Sequence, residues 1–204
     1  MRNPSTDRYP RTFTHDGATF DIRRMSPDAG EAIRAFVARL PPHDLLFLRR
    51  DITNAKVVAA WMTALGTGQV HSLALYEGNR LAGCTAIVTE DMSWSQHVGE
   101  LRVLLDPGLR GKGVGQLLVQ ECFATALGLG LRKLCVKMTV DQQGAIAVFE
   151  SLGFRAEALL RNHVRDRDGG THDLVVLSHD VAEVQSRMDV YGMSDALGTA
   201  QASG

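Results

Sequence analysis

Apolar positions along this chain switch repeatedly between a two-residue and a 3.6-residue period, so strands and helices should alternate. Residues Ala18 to Met25 read as a short strand. Ser26-Pro27 marks a helix start, where proline is tolerated because the first amides lack an internal partner. That helix should run to about Leu40 and stop at Pro41-Pro42, and a second is expected over about Asn54 to Leu65, ending at Gly66. Ser72 to Tyr76 and Leu81 to Thr89, joined through Gly78-Asn79, read as a hairpin. Val98 to Leu105 is the next expected strand, stopped by Asp106-Pro107. From Gly113 onward, apolar residues at 114, 118, 122 and 126, with Leu117 alongside, trace a helical face. Leu134 to Val140 should be a strand, Gly144 to Leu152 a helix and Phe154 to Leu160 a strand. Asp168-Gly169 is a turn signal before a last strand over Asp173 to Val181. The predicted order is β-α-α-β-β-β-α-β-α-β-β, an α/β (α+β) domain with a mixed sheet of about seven strands and about four helices.

Residues 1–17 carry Pro4, Pro10 and several charges without periodicity, and are expected to be a mobile tail. Residues 183–204 end in a stretch rich in Gly, Ala and Ser and are expected to be another, leaving one domain over 18–182. The 22 basic and 23 acidic residues nearly cancel, which argues against a dedicated nucleic-acid binder. The longest apolar run is Val57 to Met62, far short of the ~18–20 residues of a membrane helix. Met1 to Asp16 is polar and offers no secretory h-region. Cys84, Cys122 and Cys135 are odd in number, widely spaced and set in apolar sequence, so they read as reduced core residues of a cytoplasmic protein. Metal ligation would need a clustering that they lack, so no metal is expected.

The segment with chemical content is Leu109-Arg110-Gly111-Lys112-Gly113-Val114-Gly115, placed between a strand and a helix. Its glycines leave backbone amides uncovered, and the helix N-terminus adds partial positive charge, a combination that binds phosphate or pyrophosphate. A nucleotide-triphosphate loop would need Ser or Thr after Gly-Lys, where Gly113 stands. The dinucleotide fingerprint would need G-x-G-x-x-G, and the spacing here is G-x-G-x-G. Arg110-x-x-Gly113-x-Gly115 instead resembles the coenzyme A pyrophosphate loop of the GNAT superfamily of N-acetyltransferases. Gly99 to Pro107 looks like that family's fourth strand and its exit, and Ala145 to Phe154 (AIAVFESLGF) resembles its A-I-x-L-Y-E-K-L-G-F helix and turn. The resemblance covers about residues 20–181, with a looser likeness to bacterial lysine-modifying members.

The resemblance implies a splayed pair of parallel strands forming a slot for acetyl-CoA, the acyl donor. Backbone groups of Val103, Leu104 and Leu105 would bind the pantetheine amides. The amides of Gly111, Lys112, Gly113, Val114, Gly115 and Gln116 would hold the pyrophosphate, with Arg110 and Lys112 adding charge or simply forming a solvated surface pair. An acceptor amine with a pKa near ~10.4 is almost wholly protonated at pH 7.4 and cannot attack. Glu100, where related enzymes often carry a catalytic glutamate, is the candidate base; the alternative is that it only pairs with Arg102, which shares its face. Two positions depart from the family pattern: Phe149 replaces a tyrosine often proposed to protonate the leaving thiolate, and Gln142 replaces an asparagine. His43-Asp44 and His163 to Arg167 fall in connections that line the family's acceptor pocket, or are ordinary polar loops. The expected function is acetyl transfer to a primary amine, either a protein lysine or a small molecule, by direct attack in a ternary complex. The alternative is a non-catalytic acyl-CoA sensor, which Phe149 would favour. Another acyl donor, and a homodimer, are left open.

Overall fold

The computed structural model describes residues 8–181. The elements run β1 (Arg11–His15), β2 (Ala18–Arg24), α1 (Gly30–Val37), a 3-10 turn (Pro42–Leu45), α2 (Ala55–Thr67), β3 (Val70–His71), β4 (Leu73–Glu77), β5 (Arg80–Val88) and β6 (Val98–Leu105). A second 3-10 turn (Pro107–Leu109) leads to α3 (Val114–Gly128), β7 (Lys133–Thr139), α4 (Gln143–Ser151), β8 (Arg155–Arg165) and β9 (Thr171–Asp180). One sheet has the order β1-β2-β4-β5-β6-β7-β9-β8, with β3 added along β5. The α/β class and, among the described residues, the four helices are as expected; the sheet there has nine strands rather than about seven.

Strand parity assigns the two faces. Cys84 and Leu104 stand opposite each other on β5 and β6, and they share a core with Ile33, Phe36, Val58 and Met62 of α1 and α2. Leu101 has the opposite parity. It packs instead with Val119, Cys122 and Phe123 of α3 and Phe149 of α4. A third cluster, Phe20, Ile22, Leu75, Val114 and Leu118, ties the start of α3 to β2 and β4.

The tail expected over residues 1–17 is corrected for residues 11–15, which form β1. Its partner β2 pairs antiparallel through a two-residue loop, Asp16-Gly17, with φ of 49° and 76°. Positive φ at both loop positions matches the right-handed twist of the strands it joins. Phe13 stacks on Phe20 with ring centroids 5.4 Å apart. Arg8, Tyr9 and Arg11 then converge on Glu121, a buried carboxylate of α3. Burial alone would raise the Glu121 pKa; the bonds and charge from Arg8, Tyr9 and Arg11 outweigh it and hold the pKa low. The expected tail at 183–204 lies outside the described residues.

One junction of the sheet decides the rest. Every strand pair is antiparallel except β6 and β7, and these share only three register pairs: Val98 with Lys133, Gly99 with Leu134 and Glu100 with Cys135. Past Glu100, β6 stays paired with β5 as far as Leu105. β7 stays paired with β9 as far as Thr139. The facing edges of 101–105 and 136–139 therefore separate with no ladder between them. Gly99 sits at the closed end. A Cβ there would lie 2.8 Å from the Leu131 side chain and 2.9 Å from that of Ile87, so any larger residue would have to push these core side chains aside.

Candidate active site

The separated edges open a cleft of about 720 Å³. Val103, Leu104 and Leu105 line one wall, and Val136, Lys137 and Met138 the other. Unpaired strand edges expose peptide donors and acceptors that must find partners elsewhere. They suit a ligand that is itself extended and carries amides.

The cleft ends at the start of α3, and the sequence explains how that terminus is kept open. Asp106 accepts a 3.1 Å bond from the Gly108 amide, and Leu109 is buried, so the chain leaves β6 in a fixed turn. Gly111 and Gly113 then adopt φ of 71° and 75°. Gly113 is the N-cap, no side chain caps the helix, and the first turn carries no acidic residue. The first amides of a helix have no internal partner, and here no carboxylate competes for them. Arg110, Gly111, Gly113, Gly115 and Gln116 all line the cleft. Val114 differs from its neighbours: its side chain is buried in the core under the loop, so only its backbone can serve a ligand. Lys112 is exposed and absent from the lining, and its carbonyl is engaged by the His15 ring. Gln142 and Phe149 line the opposite side. The Phe149 ring meets Phe154 edge-on, with centroids 5.0 Å apart.

Glu100 stands at the vertex, in the last register pair of β6 and β7. Arg102 donates to Oε1 from Nε at 2.8 Å and from Nη2 at 2.7 Å, while Lys137 Nζ donates to Oε2 at 3.0 Å. Burial pushes the Glu100 pKa up, but the charges and bonds of Arg102 and Lys137 prevail and hold it below its ordinary value. Glu100 is therefore a carboxylate at neutral pH. The pairing with Arg102 weighed as an alternative is present, and Lys137 adds a second cation that the sequence did not indicate.

A second pocket, about 360 Å³, lies on the α1/α2 face of the same strands. Arg102 and Leu104 belong to its lining, with Thr85, Trp61 and Leu48. Leu104 lines both cavities; Glu100 lines neither, but its two partners do, Arg102 the second pocket and Lys137 the cleft.

The 3-10 turn Pro42–Leu45 reaches over the cleft. His43 Nε2 lies 2.6 Å from Asp141 Oδ2 and 3.3 Å from Thr139 Oγ1, and Asp44 accepts from Arg110 at 2.5 Å. His43 and Asp44 thus line the cleft, while His163 lies exposed on β8, away from both cavities. Of the 163–167 segment only Arg167 reaches back, to Asp51 and Thr53. His172, which no sequence signal singled out, packs edge-on against His43. Burial pushes the Cys84 and Cys122 thiols up to about 12, which makes them inert. Cys135 is half-buried rather than a core residue. Among the described residues no group of three or more His, Cys, Asp or Glu could hold a metal ion, and no helix is long and apolar enough to cross a membrane.

The chain thus combines a splayed parallel pair, an uncapped helix start at the end of the gap and a carboxylate at the vertex. The family model described as the acetyltransferase (GNAT) family matches residues 38–154, and the chain belongs to this family. The resemblance drawn from Arg110-x-x-Gly113-x-Gly115 and its flanking blocks is borne out. One curated relative, the "Putative phosphinothricin acetyltransferase YwnH" of Bacillus subtilis (strain 168), is 34% identical over 83 residues, 41% of this chain and 50% of that protein. The match thus spans about half the length of that relative. Among solved structures, yncA from Salmonella typhimurium with its cofactor acetyl-CoA superposes with a TM-score of 0.69 at 18% identity, covering 79% of this chain and 94% of that one. A GNAT-family acetyltransferase from Streptococcus pneumoniae gives 0.67 at 18% identity, covering 79% and 99%.

Proposed function

We propose that this chain transfers an acetyl group from acetyl-CoA to a primary amine by direct attack in a ternary complex. The observation that carries the reading is the separation of β6 and β7 past Glu100, which leaves a donor cleft lined by Lys137 and an acceptor pocket lined by Arg102, the two cations that Glu100 binds. The residues present fit the donor. The open amides of α3 and the glycines before it suit a pyrophosphate. The free edges of β6 and β7 suit an extended amide-bearing arm. Acetyl-CoA supplies an activated acyl group. Val103 to Leu105 hold and orient its arm through the backbone, and Gln142 offers a side-chain amide from the far wall. Arg110 adds positive charge once it exchanges Asp44 for a phosphate.

Glu100 manages the proton. Ordinary carboxylate and alkylammonium pKa values differ by about 6 units, ~8 kcal/mol, and a depressed Glu100 widens that gap. Glu100 therefore does not strip a resting ammonium. The free-amine fraction, its first proton already lost to solvent, attacks, and Glu100 takes the second proton as the N–C bond forms and the nitrogen becomes acidic, directly or through one water.

Phe149 favours a second reading, a module that binds acyl-CoA without turnover. Thiol release from acetyl-CoA with a mixed amine panel separates the two: an enzyme gives amine-dependent release, whereas a sensor binds acetyl-CoA and gives none. Phe149→Tyr sharpens the point. A thiol with pKa near ~8.5 leaves readily and solvent can protonate it. Steady-state turnover of the variant should therefore change by less than about tenfold, ~1.4 kcal/mol of barrier. A larger rise would mean that a missing acid limits the wild type.

A further inference from the structure

The acceptor-side pocket has a charge pattern of its own. Its lining contains Arg49, Arg50 and Arg102 and no acidic residue. Arg102 is already bound by Glu100. Arg49 and Arg50 have no ion pair or hydrogen bond among the described residues, and both are exposed at the pocket mouth. Their neighbour Asp51 does not neutralise them. Its Oδ1 accepts from the Thr53 amide at 2.9 Å and hydroxyl at 2.7 Å, and its Oδ2 faces Arg167 at 3.4 Å. The pocket therefore offers two guanidiniums that have no partner among the described residues, above an apolar floor of Trp61, Ile52, Val57 and Val88. Trp61 is fixed there by a 3.1 Å bond from its indole N–H to Ser72.

We infer, resting on the acetyltransferase reading above, that the acceptor is a small amphoteric amine whose carboxylate is held by Arg49 and Arg50 while its amine points to Glu100. Guanidinium forks match carboxylate geometry and stay charged at all physiological pH. The same charges repel a polyamine, which brings only further cations. A lysine side chain presented on a peptide brings no anion fixed relative to its amine. The pocket volume of about 360 Å³ is the size of a small-molecule site.

The test is thiol release from acetyl-CoA with L-glutamate, L-aspartate and L-methionine, each beside its methyl ester, and with spermidine and a lysine-containing peptide. Esterification lowers the amine pKa and raises the free-amine fraction, so chemistry alone would favour the esters. The inference requires that at least one free acid exceed its ester, spermidine and the peptide in kcat/KM by roughly 10–10²-fold. In an Arg49→Gln/Arg50→Gln variant that ratio should collapse to within about twofold, with CoA affinity by calorimetry and melting temperature kept. Preference for an ester, spermidine or the peptide, or a ratio that survives in the double variant, overturns this assignment and leaves the acetyltransferase reading standing. Absence of thiol release with every acceptor overturns both.

Discussion

Glu100→Gln should lower turnover by roughly 10²–10⁴-fold at pH 7, the range of a lost general base. The amide keeps the size of the side chain but cannot take a proton. It also presents an N–H₂ toward either Arg102 or Lys137, both of which only donate. The rate deficit should shrink as pH rises, because hydroxide then removes the proton that Glu100 removed. Stability gives a separate readout. The folded pKa of Glu100 is depressed, so its ion pairs stabilise the fold above the ordinary carboxylate value of 4.5. That contribution is lost as pH falls through the folded value. The variant should therefore melt below wild type at pH 7, with the difference closing in acid. If the variant keeps full activity at pH 7, Glu100 leaves the mechanism. His43 and Asp44, which line the cleft, would be examined next.

Gly113→Val should abolish measurable CoA binding, with Kd rising by more than about 10²-fold, ~2.7 kcal/mol. Two physical effects act together. At φ 75° a β-branched residue is strained, and a Cβ there would lie 3.3 Å from the His15 ring. The side chain would also cover the amides at the mouth of α3. Gly115→Val separates these causes. Its Cβ would meet only Leu105 at 3.7 Å, an ordinary contact, so any loss of affinity there reports blocked approach to the backbone. Calorimetry with CoA measures both, and unchanged affinity in both variants would refute the phosphate loop.

Much of this architecture was legible along the chain because it depends on local signals. The expected strand at Val98 to Leu105 coincides with β6, and the helix start beyond Gly113 coincides with α3. The hairpin at Gly78-Asn79 is β4 and β5, displaced by one residue at each of its four ends. β1 escaped for a physical reason: it has one inward aromatic, Phe13, and is held by ion pairs more than one hundred residues away in sequence. The Asp16-Gly17 pair was the available signal for it. In the site, the Glu100–Arg102 contact follows from strand parity. Lys137 joins them only through the parallel register of β6 and β7, which sequence spacing does not express. Arg49 and Arg50 reach the site on a loop and His172 at the start of β9, and side-chain type alone does not announce that.

The three register pairs between β6 and β7 also govern how the molecule holds together mechanically. Among the described residues they are the sole ladder joining a half-sheet of β1 to β6 with a half-sheet of β7 to β9, with α3 packed beneath and the Glu100–Lys137 pair as further ties. A donor arm lying in the gap would act as a cross-brace between the halves. Cohesion of the sheet then becomes a function of donor concentration, rising as RT ln(1 + [L]/Kd). A chain starved of its acyl donor would be the looser one, so the supply of acetyl groups would set the lifetime of the fold as well as the rate of transfer.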